Sequence, residues 1–184
     1  MYKLPMWEKN QLTLKNQANF SGIGLHSGIK VEVTLEPANS NSGIVFRRTD
    51  LEKDNEIVAN FKNVSSAKLC TKIQNSSGAS VSTIEHLMAA FYICGIDNII
   101  VNLNGPEVPI MDGSAKDFVK IIKDCGLKVL EGKRKFVRIK NKIELKTEDG
   151  KLIYIKPSNH TLDVKFTLNY EKNPLIKTQT NKID

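Results

Sequence analysis

The sequence predicts an α+β fold: a two-layer sheet-and-helix domain, the first of two duplicated domains, with the second copy truncated. Three observations carry this. IKVEVTLEP (29–37) alternates apolar and polar residues, the period of a strand with one buried face. Two later segments, starting near Ser82 and Ser114, place apolar residues at helical spacing. Finally, the strand running from Gly28 to Pro37 has an echo between Gly150 and Pro157, two residues shorter.

The first third of the chain reads as strands. QLTLKNQANF (11–20) leads into the glycine-punctuated turn SGIGLHSG (21–28). In the next strand Val31, Val33 and Leu35 share one face, and Lys30, Glu32, Thr34 and Glu36 the other. Pro37 ends it, NSNSG is a turn, and IVFRR (44–48) is another short strand. The first helix starts near Ser82, which with Glu85 forms a capping-box pattern. Ile84, Leu87, Met88 and Phe91 make its apolar stripe, and Gly95 stops it. NIIVNL (98–103) returns to strand. The second helix starts near Ser114, with Asp117 at the third position. It buries Ala115, Phe118, Val119, Ile122 and Cys125, turns Lys116, Lys120 and Lys123 to water, and ends at Gly126. The charged run EGKRK (131–135) marks a domain boundary, giving a first domain over 1–131 and an incomplete second one over 135–184. There strands resume as FVRIK, KIELKT, LIYIKP and TLDVKFTLNY, with a turn at EDGK and no helical stretch to follow.

Composition narrows the classes. A net charge of +7 suits an anionic partner, but the lysines are spread along the chain in no long basic block. With no interleaved aromatics and no recognisable binding motif, a nucleic-acid-binding role is disfavoured. Cys70, Cys94 and Cys125 are odd in number, widely spaced and without a CxxC, which fits reduced thiols in a cytoplasmic protein. MYKLPMWEKNQL lacks the apolar core of a signal peptide, and no stretch approaches the length of a transmembrane segment.

STIEHLMAA (82–90) sets Glu85 beside His86 at the start of a segment with no further charge before Asp97. In one reading Glu85 is only a capping residue and His86 an ordinary first-turn residue. In the other, the helix is buried on most sides. The partial positive charge at its start then favours a neutral imidazole able to bind a metal, beside a carboxylate able to take a proton from water. No second histidine follows four residues on, so this is not a H-E-x-x-H site. The other histidines, His26 in the glycine turn and His160 before a strand, can equally be surface residues.

FSGIGLHSG, KLCT, STIEHLMAAFYICGIDNIIVNLNGPEVPIMDGSAKDFV and FTLNYEKNPLI, in this order over nearly the whole chain, resemble one family. It is the UDP-3-O-acyl-N-acetylglucosamine deacetylase of lipid A biosynthesis, a zinc hydrolase of Gram-negative bacteria. The resemblance implies two similar α+β domains whose helices pack between their sheets, with the active site at the junction. It implies that His86 is a zinc ligand and that Glu85 is the general base whose proton comes from zinc-bound water. It places Leu69 and Cys70 near zinc and substrate, and His26 near the active site without being a main ligand.

This sequence also departs from the family pattern. The family's remaining ligands, a His and an Asp four residues apart, and a later His acting as general acid, have no match. His160 has Val164 at the required offset. The family's threonine and aromatic residues of the acyl passage are expected beyond Asp184. The Zn2+ site of this chain is therefore expected to be incomplete, and two readings follow. One is a truncated or split deacetylase whose second domain a separate chain completes. The other is a non-catalytic remnant or interaction module that keeps the first-domain fold.

Overall fold

The computed structural model describes residues 9–158 and 163–183. The chain divides into two units, Met1–Arg134 and Lys135–Asp184.

In the first unit, the strand-like stretch at 11–20 is broken by exposed Lys15, Asn16 and Gln17 into β1 (Asn10–Leu14) and β2 (Ala18–Ile23). The alternating segment forms β3 (Lys30–Pro37), with Val31, Val33 and Leu35 buried. Then come β4 (Ile44–Arg48), β5 (Glu56–Val58), β6 (Val64–Ser66), β7 (Lys72–Gln74) and β8 (Ser80–Val81). Helix α1 (Glu85–Cys94) leads to β9 (Ile99–Leu103), and α2 (Lys116–Cys125) to β10 (Leu127–Lys133). The main sheet runs β2-β3-β9-β4-β5, antiparallel except for β4 beside β9. β6-β7-β8 form a small second sheet, and β1 pairs with β10. The α+β class expected from the sequence is the one observed.

One face of the main sheet carries the core. Val33, Leu35, Phe46, Ile57, Ile99, Val101 and Leu103 pack in one cluster with Leu87, Ala90 and Phe91 of α1 and Phe118 and Ile122 of α2. Burying each such large side chain contributes about 1.5–3 kcal/mol. The ring of Phe20 on β2 meets Phe118 edge-on, with centroids 5.5 Å apart, fixing α2 against the sheet.

Several local expectations need correction. The capping box does not form: α1 begins at Glu85 with no side-chain cap. The Ser82 hydroxyl instead donates to the Pro106 carbonyl, and the Glu85 carboxylate turns to the Thr71 N–H. Both side chains found longer-range partners than the local motif offers. Nor is α1 buried on most sides: Ala89, Tyr92 (67% exposed) and Ile93 (63%) face outward, uncharged but not covered. Gly95 does stop the helix, at φ 70°. The start of α2 lies two residues later than Ser114, whose hydroxyl accepts from the Lys116 N–H. Glu131, Gly132 and Lys133 of the charged run belong to β10, and Arg134 grips Asp97 at 2.7 Å.

The second unit contains two hairpins, β11 (Ile143–Lys146) with β12 (Leu152–Ile155), and β13 (Val164–Tyr170) with β14 (Lys177–Ile183). FVRIK (136–140), expected as a strand, is not one: among the described residues no strand pairs with it. No helix occurs among the described residues of this unit. Ile143, Leu145, Ile153, Phe166 and Leu175 are exposed. The echo in the sequence has a counterpart here. Gly28 (φ 66°) and Gly150 (φ 85°) each stand two residues before the second strand of an antiparallel hairpin, β2–β3 and β11–β12. Among the described residues no helix is long and apolar enough to cross a membrane.

Candidate active site

Three loops of the first unit come together around two carboxylates. The turn between β2 and β3 carries His26, the tip between β6 and β7 carries Leu69 and Cys70, and the segment after β8 carries Thr83 and leads into Glu85 and His86.

Glu85 is the first residue of α1, where backbone N–H groups leave partial positive charge. Its Oε2 accepts from the Thr71 N–H at 3.1 Å, and the Ile84 N–H reaches the Thr71 carbonyl at 3.4 Å. The helix start is thus tied to the tip that holds Leu69 and Cys70. No donor among the described residues meets the other oxygen of Glu85. Glu85 and His86 are both half-buried. Leu69 is 85% exposed and takes φ 66°, a conformation that costs a side-chain-bearing residue energy, so this tip is held open with an apolar side chain in solvent. Cys70 is a half-buried free thiol.

The second carboxylate is Glu107, only 1% exposed, which sequence reasoning did not single out. It accepts from the His26 N–H (3.0 Å), the Ser27 N–H (2.7 Å) and the Thr83 hydroxyl (2.7 Å). Burial pushes this carboxyl up, but the bonds from His26, from the Ser27 hydroxyl and N–H and from Thr83 outweigh it and hold the group at about 2. Gly24 completes the turn around it: a Cβ there would lie 2.3 Å from Ser27 Oγ and 2.5 Å from Glu107 Oε2. The available signal was an acidic residue between two prolines, GPEVPI, in an otherwise apolar stretch.

The structure therefore links Glu85 to the tip carrying Leu69 and Cys70 directly, and links the turn carrying His26 to the same helix start through Glu107 and Thr83. The His26 side chain is exposed, and its backbone, not its imidazole, enters the network. His160 lies outside the described residues. Among the described residues no three His, Cys, Asp or Glu side chains gather as a metal-binding group. His86 stands as a single candidate donor, which does not meet the three protein ligands of a catalytic zinc.

Residues 11–184 match the family model described as LpxC: UDP-3-O-acyl N-acetylglycosamine deacetylase. The chain is 47% identical over 176 residues to the UDP-3-O-acyl-N-acetylglucosamine deacetylase of Geotalea uraniireducens, covering 95% of this chain and 56% of the relative. It is 44% identical over 167 residues to the protein of the same name from Haemophilus ducreyi, covering 90% and 54%. A third of that name, from Citrifermentans bemidjiense, is 46% identical over 174 residues, covering 95% and 56%. The chain spans about half the length of the curated relatives it matches. It belongs to the UDP-3-O-acyl N-acetylglycosamine deacetylase family.

Proposed function

We propose that this member of the family carries the proton-transfer half of a zinc-dependent amide hydrolase. The reaction removes the N-acetyl group from UDP-3-O-acyl-N-acetylglucosamine in lipid A biosynthesis, in the cytoplasm of a Gram-negative bacterium. The observation that carries the reading is the Glu85 carboxylate at the start of α1, aimed by the Thr71 N–H at 3.1 Å beside the open Leu69–Cys70 tip. The relatives' names supply the substrate.

In this reading water adds to the acetamide carbonyl as Glu85 takes its proton, and the C–N bond then breaks as that proton passes to the leaving nitrogen, giving acetate and a free amine on the sugar. One oxygen of Glu85 is fixed by the backbone, leaving the other to face the water. Leu69, Cys70 and the turn of His26 border the substrate. His86 would hold a zinc ion, which would polarise the acetamide carbonyl and the water, and the described residues offer it no second or third ligand. The described residues do not by themselves fit the metal, so the proton step is assigned to Glu85 alone. The domains proposed, 1–131 and 135–184, place Glu85, His86, Leu69, Cys70 and His26 together in the first.

The test supplies the chain with the remaining half of a relative such as that of Geotalea uraniireducens and measures acetate release with zinc. Glu85→Ala is expected to lower turnover by about 10²–10⁴-fold while zinc content is kept, since a general base is not a ligand. Turnover unchanged by Glu85→Ala returns that residue to a structural role at the start of α1, and no turnover from any complemented chain returns the first unit to a non-catalytic role.

A further inference from the structure

We infer that Glu107 is a positioning residue: by holding Thr83 in a left-handed conformation it sets where Glu85 and His86 emerge at the start of α1. Its bearing on catalysis rests on the function proposed above; its effect on the geometry does not.

The argument follows the chain through the site. Ser82 is fixed by its backbone. Its N–H donates to the Pro106 carbonyl at 3.0 Å, and its carbonyl accepts from the Val108 N–H at 3.1 Å, so 82 and 107 form a parallel bridge. Ile84 and Glu85 are fixed from the other side by Thr71. Between them stands Thr83, 2% exposed, at φ 57°. A β-branched residue disfavours that region strongly, so it persists only where the surroundings hold it. Its hydroxyl is the group available for holding, and it donates to the Glu107 carboxylate at 2.7 Å. Release of Thr83 toward negative φ would swing the first turn of α1, and with it the direction of both Glu85 and His86.

The same carboxylate takes the N–H groups of His26 and Ser27, at 3.0 and 2.7 Å. One buried side chain therefore couples two loops that lie about eighty positions apart from it and twenty-four from it, respectively. No lysine or arginine pairs with Glu107 among the described residues; its charge is met by hydrogen-bond donors alone. A neutral isostere is thus a severe change. Glu107→Gln turns one acceptor oxygen into an NH2 that faces N–H donors.

The test is solution NMR on the full chain, with no need of turnover. In the wild type, Thr83 is expected to show the strong intraresidue HN–Hα contact of a positive φ, and the Thr71 amide to exchange slowly. In Glu107→Gln, with the signals of core residues Val33, Phe46 and Leu87 unmoved, the Thr83 signature is lost. The amides of His26, Ser27 and Thr71 then exchange about tenfold faster or more. Thr83→Val removes only the hydroxyl. It is expected to speed Thr71 exchange while sparing Ser27, and it decides the matter if Glu107→Gln does not fold. A residue 83 that stays left-handed with Thr71 still protected, in either folded variant, overturns the inference. A complemented enzyme that fails to deacetylate overturns the proposed function and leaves this result standing.

Discussion

Glu107 keeps its negative charge inside a protein wall with only dipoles around it, and that makes it a source of acid lability. Its carboxyl titrates at about 2 in the fold against an ordinary value of 4.5. A depressed pKa contributes stability that is present in full above the ordinary value and is lost as pH falls toward the folded one. A shift of this size corresponds to about 3 kcal/mol, lost between roughly pH 4.5 and 2. Urea unfolding of the wild type and Glu107→Gln at a series of pH values should show the wild type losing its advantage over that window. Parallel pH profiles would rule the group out as the cause. At this scale the sequence was legible where residues close in the chain stay together in the fold: Glu85 next to His86 at the start of α1, Leu69 next to Cys70 on one tip, His26 in a glycine-flanked turn. Glu107 was not, because its partners His26 and Thr83 lie 81 and 24 positions away, and nothing local marks a carboxylate that will be met by backbone N–H groups.

For the elements, apolar periodicity located both helices and the strands β3, β4 and β9, since burial on one face dictates the spacing that encodes it. It was less informative about what lies beyond the buried face. Tyr92 and Ile93 of α1 are apolar yet exposed, so an uncharged helix did not mean a fully buried one. Charge also misled at β10, which is strand because β1 needs a partner, with Asn10 opposite Lys133, and not because of its own composition. Phe91, fully buried between helix and sheet, and Tyr92 beside it should therefore respond very differently. Phe91→Ala is expected to cost about 3–5 kcal/mol, and Tyr92→Ala within about 0.5 kcal/mol of nothing. Denaturant midpoints of the two variants measure this; equal losses would mean that the outward face of α1 is covered in solution.

Across the molecule, the two units differ in what holds them. The described residues up to Arg134 surround a continuous core, whereas the hairpins of the second unit leave Leu145, Ile153 and Phe166 in solvent. Limited trypsin digestion should remove the second unit first and leave a resistant fragment ending near Arg134, identified by its mass, because cleavage follows local opening. Loss of both units at one rate would show that neither stands alone. The echo between Gly28 and Gly150 was legible because a left-handed turn before a strand demands the same residue each time. The pairing of β1 with β10 was not, since closure between residues over a hundred positions apart leaves no local mark. That closure also fixes an order of events on the ribosome. Among the described residues of this unit the first strand, β1, is the partner of the last, β10, and the Arg134 N–H donates to the Lys9 carbonyl at 2.8 Å. A nascent chain halted before Leu127 holds β1 with its ladder unfilled, so the unit cannot be sealed during synthesis until its own far end has left the exit tunnel.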